Sequence, residues 1–125
     1  MKALEGKVAV VTGGTRGIGR AVSLQLAELG AQVFSLYARN RKSADALLEE
    51  AQEKKLKIEC LKGDLTHEAK TESLLEELTQ KSDCVDILVH SAASGVHKSA
   101  QELSLKHLRW TFEINVFAIH NLVTK

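Results

Sequence analysis

Residues 12–19 form a glycine-rich segment, Thr-Gly-Gly-Thr-Arg-Gly-Ile-Gly, between an apolar run and a helical pattern. Gly13 permits a tight turn, Gly17 lets the backbone approach a pyrophosphate, and Gly19 lets the next helix pack closely on a sheet. Free N–H groups at the start of that helix favour an anion. Arg20-Ala21 stand where a Walker A loop needs Lys-Ser/Thr. The segment therefore predicts a site for dinucleotide phosphates rather than ATP or GTP hydrolysis; purely structural glycines are the weaker interpretation.

Basic side chains near this segment bear on which dinucleotide fits. An Asp or Glu about 20 residues beyond the loop would bind the adenosine ribose diol and repel a 2′-phosphate. None occurs in residues 33–42, where Arg39 lies instead. Arg16 lies in the first turn of the predicted helix, where a cation is unfavourable unless an anion binds beside it. Both arginines favour NADPH over NADH; the alternative is that Arg39, Arg41 and Lys42 form a solvated basic loop.

The elements that position these residues alternate between strand and helix. Strand patterns occupy residues 8–11, 33–36, 56–61 and 85–90. Helical patterns occupy residues 18–29, 44–51, 68–81 and 105–123. Strands alternating with helices of this length require right-handed crossovers and a parallel sheet covered by helices. We therefore predict a single α/β unit, the first half of a doubly wound Rossmann-type fold with strand order 3-2-1-4 and an unpaired outer edge on the fourth strand.

Caps and apolar faces follow from the same patterns. Gly30 is placed to end the first helix, while Ser43 and Ser104 are predicted N-caps of the second and last helices. The inward face of the first helix is predicted to carry Ile18, Ala21, Val22, Leu26 and Leu29. The last helix is predicted to bury Leu105, Leu108, Phe112, Val116, Ile119 and Val123.

Composition argues against several classes of partner. Seventeen basic and sixteen acidic side chains give a net charge of +1, too balanced for the basic footprint that nucleic acid or an anionic membrane selects. No stretch approaches the roughly 20 apolar residues of a bilayer span, and the N-terminus lacks the apolar core of a signal peptide. We therefore expect a cytoplasmic protein without membrane insertion.

The cysteines and histidines do not form a metal-binding pattern. Cys60 and Cys84 lack CxxC spacing, and the histidines at positions 67, 90, 97, 107 and 120 never recur at i, i+4. We expect no metal site, and we expect both cysteines to be reduced and buried.

The pattern Thr-Gly-Gly-x-x-x-Gly-Ile-Gly after an N-terminal strand resembles the cofactor loop of the short-chain dehydrogenase/reductase family. The resemblance covers essentially the entire chain but only the first half of a family member of ordinary length. It implies that residues 1–125 are the dinucleotide-binding half of one domain and end inside a helix, with the catalytic half absent. The loop residues that it assigns to the cofactor are Gly13, Thr15, Arg16, Gly17, Ile18 and Gly19.

Three further matches carry the resemblance along the chain. Asp64-Leu65 stand where the family places an Asp that contacts adenine, a simple turn aspartate being the alternative. Residues 88–95 correspond to the family's segment with an Asn-Asn-Ala-Gly motif, which lines the nicotinamide ribose, and Ser91, Ala92 and Ala93 are the residues assigned to the cofactor there. His90 and Ser91 replace the two asparagines of that motif. We interpret His90 as a satisfied strand-end histidine rather than a catalytic one. Asn115 matches the family's helix Asn, which supports the catalytic lysine through a water. An Asn near an apolar stripe also needs a hydrogen-bond partner.

The implied reaction is hydride transfer between NADPH and a carbonyl or enoyl thioester, which includes acyl-carrier-protein-linked substrates. Tyr37-Ala38-Arg39 and the Ala-Ala-Ser-Gly-Val run at 92–96 are similar to a subgroup of NADPH-dependent enoyl-acyl-carrier-protein reductases. A sugar, steroid or other alcohol dehydrogenase of the same family stays open. The last helix is the predicted homo-oligomer interface, because the family assembles through helices in and beyond this region.

The family's catalytic Ser, Tyr and Lys lie beyond these residues, and the only tyrosine is Tyr37. We therefore expect the 125-residue chain to be inactive by itself, as a truncated portion of an oxidoreductase. One alternative is a non-catalytic dinucleotide-binding short protein or designed half-fold. A flavodoxin-like or receiver-like domain is disfavoured, because residues 12–14 put Thr-Gly-Gly where a receiver needs acidic side chains.

Overall fold

A computed structural model describes residues 1–124, in which four strands form one parallel sheet in the order β3-β2-β1-β4. The strands are β1 (Val8–Thr12), β2 (Gln32–Tyr37), β3 (Ile58–Lys62) and β4 (Ile87–His90). The helices are α1 (Gly17–Glu28), α2 (Arg41–Glu53), α3 (Glu68–Lys81), α4 (Leu105–Phe112) and α5 (Ala118–Thr124), with a π-helical segment, Glu113–Phe117, between the last two. The Rossmann-type prediction and its strand order are confirmed.

Two apolar cores cover the two faces of the sheet, because successive side chains of a strand point to opposite faces. Val10 of β1 packs with α3 and α5, whose contributions include Leu74 and Leu122. Val11 packs on the other face with α1 and α2, which contribute Ala27 and Leu47. The short unbroken apolar run of β1 is thus buried on both faces, as predicted for a central parallel strand. Within residues 1–124 no strand pairs with the outer edge of β4.

The fully buried residues of α1 are small ones that the sequence analysis did not predict to face inward. Gly19, Ser23 and Ala27, each four residues apart, are buried. Ile18 and Leu29 were predicted to face inward, but their exposed fractions are 79% and 41%. Ala21 is exposed as well, whereas Val22 and Leu26 are partly buried and pack against the core, as predicted. The prediction was therefore wrong for Ile18, Ala21 and Leu29, because the small side chains let the helix axis approach the sheet more closely than leucine-sized ones would.

Buried hydroxyls on this face satisfy one another. The Ser23 hydroxyl donates to the Gly14 carbonyl oxygen at 3.1 Å and accepts from the Ser35 hydroxyl at 2.7 Å. Both serines are fully buried. Their hydrogen bonds remove the penalty of burying a polar group and tie α1 to β2 and to the glycine-rich loop.

The structure corrects one of the two predicted N-cap residues and confirms the other. Asn40, not Ser43, caps α2: its side-chain oxygen accepts from the Ser43 N–H at 3.0 Å, and the helix already begins at Arg41. Asn and Ser are comparable N-cap residues, so local preference did not separate them. Ser104 caps α4 as predicted, and His107 completes a reciprocal capping box with it.

Five of the six residues predicted to form the buried face of the last helix are exposed, and the sixth, Ile119, is partly buried. The exposed fractions of the five lie between 45% and 68%; these residues are Leu105, Leu108, Phe112, Val116 and Val123. The buried residues of this region are Ala118 and Leu122, which pack on the α3 face of the sheet. The π-helical segment also changes the rotation of α5 relative to α4, since its hydrogen bonds join i to i+5.

The two cysteines differ in environment. Cys84 is exposed, so its predicted burial was wrong, whereas Cys60 is partly buried. Burial, assisted by the carboxylate of Asp45, raises the pKa of the Cys60 thiol to about 11. This thiol is therefore protonated and unreactive at neutral pH.

Candidate functional site

A cleft of about 650 Å³ lies at the carboxyl ends of the four described strands. Loops after parallel strands meet at this edge, and ligands of open α/β sheets bind there, where the strand order reverses. The predicted site residues that line the cleft are Gly13, Thr15, Arg16, Gly17, Ile18, Tyr37, Ala38, Arg39, Asp64, Leu65, Ser91, Ala92 and Ala93. The fold brings these residues together; their contact with a cofactor stays a prediction.

Two glycines hold the floor of the cleft in close contact. Gly13 has φ +61°, and a Cβ there would lie 2.9 Å from the Ala92 nitrogen. A Cβ on Gly19 would overlap the Gly13 carbonyl oxygen. Gly19 therefore lies behind the cleft, where it lets α1 pack against the glycine-rich loop. The loops after β1 and β4 are thereby pressed together into one surface.

Groups that attract an anion lie where the glycine-rich loop enters α1. Arg16 is the N-cap residue of α1, just before the helix rather than in its first turn, and its side chain makes no capping hydrogen bond. The first turn of α1 carries no acidic residue, so its free N–H groups and helix dipole remain available to an anion. Within residues 1–124 neither Arg16 nor Arg39 pairs with a carboxylate.

Asp64 contributes a carboxylate to the cleft. Its Oδ1 accepts from the Thr66 N–H at 3.0 Å and from the Thr66 hydroxyl at 2.6 Å. Burial by itself would raise the pKa of Asp64, but these hydrogen bonds, with His67 and Lys70 nearby, hold it below its usual value. Asp64 is thus ionised at neutral pH. Its bonds to Thr66 stabilise the turn after β3, which is the alternative role given to Asp64 in the sequence analysis. Asp64 also lines the cleft.

Thr12, His90 and Ala92 form a hydrogen-bonded group beneath the cleft. The fully buried Thr12 hydroxyl lies 2.8 Å from His90 Nδ1 and accepts from the Ala92 N–H at 3.1 Å. His90 Nε2 is buried and has no hydrogen-bond partner among residues 1–124. Burial lowers the pKa of His90, with a smaller opposing effect from the Ile114 backbone. The interpretation of His90 as a satisfied histidine therefore holds for one ring nitrogen only.

Asn115 lies in the π-helical segment and binds the loop after β4. Its Oδ1 accepts from the Ser94 N–H at 3.1 Å, and its Nδ2 donates to the Ser94 carbonyl at 2.6 Å. The side chain is thus satisfied by main-chain groups and holds the residues that follow Ser91–Ala93. Its predicted support of a catalytic lysine stays a prediction.

Sequence reasoning missed Trp110 and Ile114, which also line the cleft. Together with Ala118 and Leu122 they form an apolar stripe with i, i+4 spacing. That spacing was a usable signal, but the competing stripe through Leu105 and Phe112 was the one predicted to face inward. Other lining residues outside the prediction are Leu36, Asn40, Gly63, Thr66 and Ser94.

Residues 1–124 contain neither a membrane-spanning helix nor a cluster of metal ligands. No helix in this part of the chain is long and apolar enough to cross a bilayer. No group of three or more His, Cys, Asp or Glu side chains in it is placed to hold a metal ion.

The sequence and the fold are both similar to those of known oxidoreductases. An uncharacterized oxidoreductase of Methylorubrum extorquens is 36% identical over 121 residues, which cover 95% of this chain and 48% of that protein. The 3-oxoacyl-[acyl-carrier-protein] reductase FabG of Staphylococcus epidermidis is 31% identical, with coverages of 95% and 49%. A short-chain dehydrogenase from Burkholderia cenocepacia, solved in complex with NADP, has a TM-score of 0.89 at 28% identity and coverages of 97% and 49%.

The chain spans about half the length of the curated relatives that it matches. The sequence model described as short chain dehydrogenase matches residues 7–125, which is nearly the whole chain. The glycine-rich loop, the strand order and the cleft agree with that match. The chain belongs to the short-chain dehydrogenase family.

Proposed function

We propose that residues 1–125 are the NADPH-binding half of an oxidoreductase domain. The observation that carries the proposal is the pair of unpaired arginines, Arg16 and Arg39, lining one cleft beside the free N-terminus of α1. No carboxylate in residues 33–42 would repel a 2′-phosphate. The Burkholderia cenocepacia dehydrogenase with a similar fold was solved with NADP, which supports the same cofactor here.

Each part of the dinucleotide has residues of matching chemistry. The start of α1 and Arg16 suit the pyrophosphate, and Arg39 suits the 2′-phosphate, because a guanidinium binds phosphate by charge-assisted hydrogen bonds. Asp64 and Leu65 suit the adenine, and Ser91–Ala93 suit the nicotinamide ribose. Asn115 holds the latter segment through Ser94. NADPH bound there supplies a hydride.

We propose a carbonyl or enoyl thioester, including acyl-carrier-protein-linked substrates, as the hydride acceptor. Similarity to the 3-oxoacyl-[acyl-carrier-protein] reductase of Staphylococcus epidermidis supports a thioester substrate. Tyr37 lines the cofactor cleft, next to the arginine proposed for the 2′-phosphate, so it is not the proton donor in this proposal. We propose that proton transfer needs residues outside this half, and that the 125-residue chain binds NADPH without turnover.

A homo-oligomer is the proposed assembly. The exposed apolar stripe on α4 and the π-helical segment supports it, since contiguous exposed apolar surface marks interaction sites. The members of this stripe are Leu105, Leu108, Phe112 and Val116.

The test of the cofactor assignment is the substitution Arg39→Glu, with binding of NADPH and NADH measured by calorimetry. A charged hydrogen bond contributes about 1.5–3 kcal/mol, so NADPH affinity should fall by roughly 10- to 150-fold. NADH affinity should change little, because NADH lacks the 2′-phosphate. The matched control is Lys57→Glu, because it reverses the charge of an exposed residue just before β3, at the opposite edge of the sheet from the cleft.

An equal loss for both cofactors in Arg39→Glu would contradict the 2′-phosphate assignment. A wild-type chain that binds neither cofactor would contradict the proposed function as a whole.

A further inference from the structure

Trp110 is the only tryptophan of the chain, and α4 directs it into the cofactor cleft. It is partly buried. Leu108 and Phe112, two residues away on either side, have exposed fractions of 46% and 50%. The helix therefore turns its largest side chain toward the cleft and not toward the exposed apolar stripe.

The packing of the last helices locates Trp110 along the cleft. Ala118 and Leu122 belong to the core on the α3 face, together with Leu65. Ile114 lies one turn closer to the edge of the sheet, where its backbone is near the His90 ring. Trp110 lies a further turn out along the same stripe. The indole therefore lies beyond the sheet edge on the α3 face of the cleft.

The neighbours on that side of the cleft are the turn at Asp64 and Thr66, which leads into α3. The two arginines approach from the opposite face, since Arg16 precedes α1 and Arg39 precedes α2. The α3 side thus combines an apolar wall, Trp110 with Ile114, and an ionised carboxylate. A flat aromatic ring with polar edge groups matches this combination, because it can stack on an indole and hydrogen-bond at its edge.

We propose that Trp110 is a cofactor-binding residue whose indole packs against the adenine ring of the dinucleotide. The inference rests on the proposed function. Trp110 holds the base from one side, while Arg39 holds the 2′-phosphate of the same adenosine from the other. Loss of the indole therefore weakens NADPH and NADH alike, whereas loss of Arg39 weakens NADPH alone.

The fluorescence of Trp110 provides the first test, because no other tryptophan in the 125 residues contributes to the signal. The 125-residue chain is titrated with adenosine 2′,5′-bisphosphate, which carries the adenine and the 2′-phosphate but no nicotinamide. The emission of Trp110 should change as the ligand is added and reach a plateau when the site is saturated. Nicotinamide mononucleotide, which lacks adenine, should leave the emission unchanged.

Calorimetry on three variants provides the second test. Trp110→Ala should weaken adenosine 2′,5′-bisphosphate, NADPH and NADH by about tenfold each, in line with base stacking on aromatic side chains. Trp110→Phe keeps an aromatic ring and should retain most of the affinity. Leu108→Ala is the matched control on the exposed stripe of the same helix, and it should bind like the wild type.

The two proposals fail in distinguishable ways. If NADPH binds but adenosine 2′,5′-bisphosphate leaves the emission unchanged, or Trp110→Ala binds it normally, the adenine assignment is overturned and the cofactor proposal stands. A response to nicotinamide mononucleotide alone would also overturn the assignment. Absence of NADPH binding to the wild type would overturn both.

Discussion

Replacing Thr12 with valine tests the hydrogen-bonded group beneath the cleft. Valine keeps the branched shape of threonine and suits a strand, so the main change is loss of the hydroxyl. That hydroxyl is fully buried. It accepts from the Ala92 N–H at 3.1 Å and lies 2.8 Å from His90 Nδ1. The substitution therefore removes two interactions between the end of β1 and the end of β4.

The expected loss follows from the groups left behind. The Ala92 N–H and His90 Nδ1 both lose their partner, and each buried polar group without one costs about 1–3 kcal/mol. His90 and Ala92, unlike Thr12, are only partly buried, so both bonds are part-buried. We therefore expect the substitution to lower the free energy of unfolding by about 2–4 kcal/mol. His90 already carries one unpaired ring nitrogen, so the ring has no second bond to compensate. A loss of this size is a large share of a domain's typical stability of about 5–15 kcal/mol.

Urea unfolding followed by circular dichroism measures this loss as a change in the free energy of unfolding. Thr12→Ser is the matched control, because it keeps the hydroxyl and removes one methyl group, which costs about 1 kcal/mol. NADPH affinity should also fall in the valine variant, since Ala92 lines the cleft. A valine variant as stable as the serine variant would refute the structural role assigned to this hydroxyl.

Two further predictions concern the end of β4 and the loop that follows it. Burial lowers the pKa of His90 below 6.5, so the unfolded chain binds more protons near that pH, and the free energy of unfolding should decrease as the pH falls below 6.5. A single group contributes at most ~1.4 kcal/mol per pH unit to the slope of the free energy of unfolding against pH. If the slope were unchanged in His90→Asn, His90 would not be the group responsible for it. Asn115→Ala removes both bonds to Ser94 and should cost about 1–3 kcal/mol and speed hydrogen exchange at the Ser94 amide; equal exchange in both proteins would contradict the predicted anchoring.

Local pattern was sufficient for most of the fold. Residues 8–11 form a short apolar run before the glycines, and β1 forms there with both faces covered. The periodicity over residues 68–81 matches α3 from end to end. These predictions succeeded because hydrophobic spacing reflects which element can bury its apolar side chains. The strand order followed because short connections and right-handed crossovers leave few topologies.

The orientation of helices depended on packing that the sequence does not show. The last helical region carries two apolar stripes, one through Phe112 and one through Ala118 and Leu122. The stripe with the small Ala118 packs against α3, and the other is left exposed. On α1 the small residues Gly19 and Ser23 are buried while Ile18 is not. In both cases the small side chains, which let a helix approach the sheet closely, are buried in preference to larger and more hydrophobic ones.

The chain's own residue order therefore determined its family, its alternating elements and the place of its glycine-rich loop, because each depends on neighbours in sequence. Tertiary structure alone decided that Thr12 bonds to His90 and Ala92, that Asn115 binds Ser94, and that Trp110 lines the cleft. These contacts join residues far apart in the chain, and their geometry exists only after the sheet has brought its carboxyl ends together.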